Sequence, residues 1–181
     1  MRAAAALVAA AGLSAACSGA DRDTRIYRVP SSSMEPTLHC ARPALGCEAN
    51  TDDLVAVHPY GKRSPQRGDI VVFKTPGLAK VKCGAGGIFI KRVVGLPDER
   101  WSERRGFIEI DGRKLVEPYI QPSRRDSQTL EGATIQQDEF LLLGDNRASS
   151  CDSRVYGLVP RRDLIGWVFD IKRGSQEIHI R

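Results

Sequence analysis

Short apolar segments at close spacing constrain the fold of this chain more than any other feature. Eight runs rich in Val, Ile, Leu and Phe are bounded by Gly, Pro, Asn or Asp. They cover residues 26–29, 54–57, 69–74, 88–94, 107–110, 139–143, 164–170 and 177–180. Runs of this length between turn-forming residues are typical of β-strands. The sequence therefore predicts a mainly β core.

One turn can be assigned from two residues. Asp111-Gly112 separates Ile108-Glu109-Ile110 from Lys114-Leu115-Val116, and this dipeptide favours a two-residue β-hairpin turn. Residues 117–137, by contrast, are polar and rich in turn-forming residues. At 181 residues the chain requires only one domain.

The basic composition allows two classes of partner. The formal net charge is +5, but the 27 Lys and Arg residues are scattered, with short clusters such as Arg104-Arg105 and Arg124-Arg125. No sequence signature of a nucleic-acid-binding fold accompanies them, so we expect no nucleic-acid partner. A basic surface of this kind suits anionic lipid headgroups better.

The amino terminus has the layout of an export signal. Arg2 precedes an apolar or small-residue stretch at 3–16, and Ser14-Ala15-Ala16 precedes Cys17. The apolar stretch is shorter than the ~20 residues that span a bilayer. Residues 1–20 are therefore an export signal or a membrane or lipid anchor, either lipidated at Cys17, left uncleaved or released, and residues 21–181 form the remaining domain.

The other four cysteines form an even set, which export to an oxidising compartment would allow to pair. Cys40 and Cys47 bracket a short loop, which favours their pairing, and Cys83 with Cys151 follows by elimination. Four reduced thiols are the alternative. A zinc site is disfavoured because no C-x-x-C pair occurs and the three histidines do not cluster with the cysteines, so we expect neither a metal nor another cofactor.

Two segments could bring a serine and a lysine together. Residues 30–38 read PSSSMEPTL, and residues 89–95 read FIKRVVG. A serine hydroxyl is a weak nucleophile that needs a neighbouring base. A lysine can be that base only when it is neutral, and burial can lower its pKa by up to ~3–5 units.

Histidine is the more common base, and a lysine on a strand is often exposed. His39, His58 and His179 lie in positions that we expect to be exposed or at an edge. Lys91 and Arg92 must point to opposite faces of a strand, so either could be the buried one. The residues alone leave this choice open.

The two segments, together with RGDIVVF at 67–73 and GDNRASSCDSR at 144–154, resemble the type I signal peptidases in content and order. The resemblance implies a signal-peptidase and LexA-like β core, with a reduced β-rich insertion at about 107–137 between the lysine and GDNR motifs. It assigns Ser33 as nucleophile and Lys91 as general base. Ser31 takes the position of an oxyanion-hole hydroxyl, and Ser150 that of the serine that orients the lysine. Ser32 stands where the family often has glycine.

The resemblance also implies supporting residues and substrate pockets. Asp152 and Arg154 match polar residues that brace the turn, although ion pairs Asp152–Arg154 or Asp145–Arg147 on the rim of a structural loop are the plain alternative. Two shallow pockets would accept small side chains at the first and third positions before the cut. Their expected lining is Tyr27, Val29, Met34, Phe89, Ile90, Leu142 and Leu143, for each of which core packing is the alternative.

The expected function is that of a membrane-associated endopeptidase that removes signal peptides from exported preproteins through an acyl-enzyme. The expected location is the bacterial cell membrane, with the catalytic domain on the extracytoplasmic side. The alternatives are a LexA-like self-cleaving peptidase, a pilin-processing peptidase of conjugation systems, and a catalytically silent lipoprotein. If Cys83 is bonded to Cys151, the resemblance places that disulfide at the rim of the active site.

Overall fold

A computed structural model describes residues 23–180. The expected export signal or anchor at 1–20, including Cys17, lies outside the described residues. Among the residues described, no helix is both long enough and apolar enough to cross a membrane.

An eight-stranded antiparallel sheet forms the body of the protein, and the prediction of a mainly β protein is confirmed. The strands are β1 (Arg25–Arg28), β2 (Leu54–Pro59), β3 (Ile70–Lys74), β4 (Ile88–Gly95), β8 (Glu139–Leu143), β9 (Val159–Pro160), β10 (Leu164–Arg173) and β11 (Gln176–His179). Along the sheet the strand order is β1-β2-β10-β3-β4-β8-β9, and β11 pairs with β10.

A smaller three-stranded sheet follows β4 in the chain. It consists of β5 (Trp101–Arg104), β6 (Phe107–Ile110) and β7 (Arg113–Lys114). Asp111 and Gly112 connect β6 to β7 with φ angles of 51° and 73°. Positive φ at both central residues is the geometry for which Asp-Gly was expected at this hairpin.

Apolar side chains are buried on both faces of the large sheet. On β3, Val71 and Phe73 belong to one buried cluster, while Ile70 and Val72 belong to a second. A third cluster lies between the large sheet and the small one and includes Leu141 of β8. This two-sided burial explains why the strands read as nearly continuous apolar runs.

Two short helices were not predicted from the sequence. They are α1 (Gly77–Cys83), between β3 and β4, and α2 (Ser153–Tyr156), after β8. Each has at most two turns, so the apolar residues cannot repeat often enough to show a helical period. Single 3-10 turns occur at Ser32–Met34, Pro122–Arg124, Arg147–Ser149 and Arg161–Asp163.

A buried ion pair fixes part of the polar stretch to the core. Arg147 is fully buried, and its guanidinium donates two hydrogen bonds to Glu117, which is also buried. Arg125 donates a third to the same carboxylate. Breaking a buried pair leaves an uncompensated charge and costs about 3–5 kcal/mol.

We expect Glu117→Ala to lower the free energy of unfolding by about 3–5 kcal/mol, measured by urea denaturation, because Arg147 is left without its counter-ion. Glu131→Ala is the matched control. It removes another glutamate that pairs with an arginine, but the Glu131 side chain is 71% exposed. Equal stability of the two variants would contradict the structural role of the Arg147–Glu117 pair.

Candidate active site

The nucleophile candidate lies on a tight turn that follows β1. Ser31 is extended, with φ −141° and ψ 154°, and Ser32–Met34 then form a 3-10 turn. Met34 is 1% exposed and packs in the second apolar cluster, which anchors the turn to the sheet. The turn thereby presents Ser33 to a cleft instead of the core.

Lys91 on β4 contacts Ser33 directly. Lys91 Nζ donates a hydrogen bond of 2.7 Å to Ser33 Oγ and another of 3.0 Å to the carbonyl of Ile90. Ser31 Oγ lies 3.3 Å from Ser33 Oγ. The structure thus brings together three residues that are separated by up to 60 positions in the sequence.

Burial changes the protonation of Lys91. The residue is 3% exposed. Burial lowers the pKa of its amine to about 8, and the charges of Asp152 and Asp145 oppose that shift only in part. A substantial fraction of the amine is therefore neutral at mildly alkaline pH, as a base requires.

The 144–150 loop lies against the serine turn. Asn146 N donates to the Ser33 carbonyl at 3.1 Å, and Asn146 Nδ2 donates to the Ser32 carbonyl at 3.0 Å. A Cβ on Gly144 would come within 2.2 Å of Ser150 Oγ and 2.4 Å of the Ser33 carbonyl oxygen. Only glycine fits there. No positioning role was assigned to Asn146 from the sequence, which carries no signal for this contact.

Ser150 approaches the site but does not make the expected hydrogen bond. Its hydroxyl oxygen is buried and has no hydrogen-bond partner within residues 23–180. The bond to the lysine amine that the resemblance implies is therefore not formed in this structure. A buried hydroxyl without a partner is unusual in a native protein, and such groups are often found at functional sites.

The two aspartates beside the site are each bound to an arginine. Arg154 binds both oxygens of Asp152 at 2.8 and 2.9 Å, which matches one expected pair. Asp145 instead binds Arg92, at 2.9 and 2.6 Å.

The alternative pair Asp145–Arg147 is therefore wrong, because Arg147 turns away from Asp145 to the buried Glu117. Asp152 also accepts a hydrogen bond of 3.2 Å from Gly144 N. This bond connects the Asp152–Arg154 pair to the loop that touches Ser33.

Ser31, Ser33 and Lys91 open into a cleft of about 470 Å³. Five of the expected pocket residues line it, namely Tyr27, Val29, Met34, Phe89 and Ile90. Ile88, Ala85, Cys83 and Cys151 complete one side. The lining residues on α1 and just after it were not predicted, because the sequence gave no signal for this helix.

Leu142 and Leu143 lie elsewhere. Both are fully buried, Leu142 in the first apolar cluster and Leu143 in the third, on opposite faces of β8. Neither belongs to the cleft lining. Core packing, the alternative for these apolar positions, accounts for both.

Both cysteine pairs are bonded in the structure. Cys40 is joined to Cys47 with a Cα–Cα distance of 5.0 Å, and Cys83 to Cys151 with a distance of 6.0 Å. Cys83 ends α1 and Cys151 follows Ser150 directly, so this bond joins the helix to the loop beside the site. It lies on the cleft wall.

Within residues 23–180, one group of side chains has metal-ligating atoms close together. Candidate ligand atoms of Glu35, His39 and Glu48 lie within 4.8 Å of one another. However, His39 Nδ1 lies 2.6 Å from Glu35 Oε2, and the Glu48 carboxylate pairs with Arg124. Existing contacts within the protein account for this group, and none of its three residues lines the cleft.

Comparison with known proteins identifies the family. The family model described as "Signal peptidase, peptidase S26" matches residues 1–171. A signal peptidase I from Leptolyngbya laminosa is 41% identical over 139 residues, which cover 76% of this chain and 63% of that protein. A Synechocystis protein named "Probable signal peptidase I-2" is 36% identical over 141 residues, covering 78% of this chain and 59% of its own length. The chain belongs to the signal peptidase family, peptidase S26.

The chain spans about 60% of the length of these two relatives. A crystal structure of a signal peptidase I from Enterococcus faecalis aligns with 58% of this chain and 97% of its own, at 28% identity and a TM-score of 0.47.

We expect protein isolated from an oxidising compartment without reductant to contain the Cys40–Cys47 and Cys83–Cys151 bonds, with Cys17 in neither. Peptide mapping by mass spectrometry under non-reducing conditions measures this. The matched control is the same digest after reduction and alkylation, in which both linked peptides must disappear. Free thiols at Cys83 and Cys151 in the exported protein would contradict the pairing at the cleft.

Proposed function

We propose that this chain is a serine endopeptidase that removes signal peptides from exported preproteins. The observation that carries the proposal is the contact of 2.7 Å between Lys91 Nζ and Ser33 Oγ, made by a buried lysine. Membership of the signal peptidase family supports the same reaction.

Acylation begins when Lys91 is neutral. The hydrogen bond then runs from Ser33 Oγ to Lys91 Nζ, and the amine takes the hydroxyl proton as the oxygen attacks the scissile carbonyl carbon. The carbonyl oxygen becomes an oxyanion in the tetrahedral intermediate. When the peptide bond breaks, the protonated amine of Lys91 returns the proton to the leaving nitrogen of the mature protein.

The oxyanion needs hydrogen-bond donors that are already in position. The backbone N–H of Ser33 and the hydroxyl of Ser31 are the candidates, and Ser31 Oγ lies 3.3 Å from Ser33 Oγ. Loss of one such donor costs roughly 2.7–4 kcal/mol of transition-state stabilisation. Ser150 is proposed to orient the amine during turnover, because its buried hydroxyl has no other partner among the described residues.

Hydrolysis of the acyl-enzyme uses the same base. Lys91, neutral again after the mature protein leaves, takes a proton from a water molecule that attacks the ester carbonyl carbon. The ester bond to Ser33 Oγ breaks, and the proton passes from Lys91 to Ser33 Oγ. The signal peptide then leaves as a carboxylic acid.

The cleft is proposed to accept small residues at the first and third positions before the cut. Two apolar groups line it. Ile90 packs with the second apolar cluster, to which Val29 and Met34 belong, and Phe89 packs against the first. An extended substrate places alternate side chains on the same face, so two pockets next to Ser33 would read positions one and three.

Membrane association is proposed for the rim formed by α1. Leu78 and Val81 on this helix are 55% and 77% exposed, and Ile88 at the start of β4 is 52% exposed. Lys80 and Lys82 lie on the same helix. Apolar side chains beside lysines suit contact with an anionic lipid surface, which would bring the cleft to membrane-inserted substrates on the extracytoplasmic side.

We expect Ser33→Ala and Lys91→Ala each to abolish cleavage of a preprotein, and the double variant to be no worse, because the two residues act as one unit. Lys74→Ala, which removes an exposed lysine from β3, is the control and should keep full activity.

The pH profile tests the same base. Because the pKa of Lys91 is lowered to about 8, kcat/KM should rise with pH through about 8 and fall about tenfold per unit well below it. Full activity of Lys91→Ala, or a pH-independent rate between pH 6 and 9, would exclude lysine as the base.

We expect Leu78→Ser with Val81→Ser to weaken binding of a chain that begins at Asp23 to vesicles containing phosphatidylglycerol by at least about tenfold. Burying each apolar side chain contributes about 1.5–3 kcal/mol. Val116→Ser is the control, because Val116 is 85% exposed but lies outside the cleft rim. Vesicle sedimentation measures binding, and equal losses in both variants would contradict a specific membrane-facing rim.

A further inference from the structure

The loop closed by the Cys40–Cys47 bond contacts the nucleophile turn, and no step of the proposed reaction uses it. Residues 40–49 are here called the disulfide loop. Its two ends are bridged at Ala41 and Ala49, and Cys47 N donates to the Ala44 carbonyl at 3.1 Å. With the disulfide, these contacts make the loop a small closed unit next to the active site.

The residue that follows the nucleophile turn is hydrogen-bonded to both ends of the disulfide loop. Glu35 directly follows the turn, and its side chain is fully buried. Glu35 Oε1 accepts hydrogen bonds from Cys40 N at 3.1 Å and from Glu48 N at 3.2 Å. One carboxylate therefore binds both ends of the loop and fixes them to the segment that carries Ser33.

The disulfide loop returns to touch the residue next to the nucleophile. Gly46 has φ +78°, and a Cβ built on it would lie 2.8 Å from Ser32 Oγ and 3.1 Å from Ser32 Cβ. Rotation of the Ser32 side chain can move its hydroxyl aside but cannot move Cβ. Arg124 donates to the Gly46 carbonyl at 3.4 and 3.5 Å and pairs with Glu48, and these contacts oppose movement of the loop away from Ser32.

Asn146 contacts the nucleophile turn from the 144–150 loop. It donates hydrogen bonds to the carbonyls of Ser32 and Ser33. The nucleophile turn is therefore contacted on two sides. Gly46 lies against the side chain of Ser32, and Asn146 binds the backbone carbonyls of the turn. We propose that the disulfide loop is a positioning element that fixes the nucleophile through the contact of Gly46 with Ser32. This inference rests on the proposed peptidase function.

A small displacement at Ser32 is expected to lower the rate. Ser33 supplies both the attacking oxygen and the backbone N–H proposed for the oxyanion, and both move with the backbone of Ser32. The contact of a Cβ on Gly46 with Ser32 Cβ requires a shift of a few tenths of an ångström. Because a misplacement of about 1 Å at a reacting group can cost roughly 100-fold in rate, we expect this smaller shift to cost several-fold. Four of the five proposed pocket residues lie outside the turn, and only Met34 belongs to it, so we expect a larger loss in kcat than in KM.

The first experiment compares Gly46→Ala with Gly112→Ala in the full chain, using a signal-peptide substrate. Both glycines have positive φ, +78° and +73°, but a Cβ on Gly112 would meet nothing within 4 Å. Gly46→Ala should lower kcat by about 3- to 10-fold, with KM within about twofold of wild type. Gly112→Ala introduces the backbone strain of a positive φ without a steric contact, so it should keep the wild-type kcat.

The second experiment is a rescue. Ser32→Gly removes both atoms that the new Cβ would meet, so Gly46→Ala combined with Ser32→Gly should recover most of the lost kcat. Lys91 is not displaced by the contact, so the pH dependence of Gly46→Ala should keep the midpoint of wild type. Urea denaturation of each variant shows whether the change in kcat occurs in fully folded protein, which separates displacement of the nucleophile from a loss of stability.

Either of two results would overturn the proposal: kcat of Gly46→Ala equal to that of Gly112→Ala, or no recovery in the double variant. If Gly46→Ala does not fold, Cys40→Ala with Cys47→Ala opens the loop without adding atoms, and an unchanged kcat then refutes the proposal while a reduced kcat at constant KM supports it. Absence of cleavage by wild type would instead refute the proposed function, so the two failures are distinguishable.

Discussion

The site depends on the environment of Lys91, which forms no ion pair within residues 23–180. Burial lowers the pKa of the amine, and the charges of Asp152 and Asp145 raise it by less. Each carboxylate is already bound through both oxygens to an arginine, Arg154 or Arg92. Burial dominates, and the pKa falls to about 8. Burial thus allows Lys91 to become neutral close to two acidic side chains that are themselves bound to arginines.

Strand alternation separates the two neighbouring cations of β4. Lys91 points into the cleft toward Ser33, and Arg92 points to the opposite face, where it binds Asp145 and lies 4.0 Å from the centre of the Tyr119 ring. A two-residue period forces this division, so one strand supplies a desolvated amine on one face and a paired guanidinium on the other. Shifting the register by one residue would exchange their environments.

The sequence predicts features that depend on neighbouring residues in the chain. It does not predict contacts between residues that are far apart in the chain. The strands, the Asp111-Gly112 hairpin and the pairing of Cys40 with Cys47 follow from residues close together in the chain. Patterns cannot reveal which arginine binds Asp145, because Arg92 is more than fifty positions away. Leu142 and Leu143 show the same limit, since apolar residues in a motif can line a pocket or fill a core.

The two disulfides act on different scales. The Cys83–Cys151 bond closes a separation of 68 residues, for which loop-closure entropy predicts about 4 kcal/mol of stabilisation, whereas the separation of 7 for Cys40–Cys47 gives about 2 kcal/mol. The long bond joins α1 to the loop that carries Ser150, two cleft walls that are far apart in sequence. The short bond adds less to global stability, but it shapes a loop that touches Ser32. Its main effect is therefore local, on the placement of the nucleophile, and the long bond preserves the cleft in which that nucleophile lies.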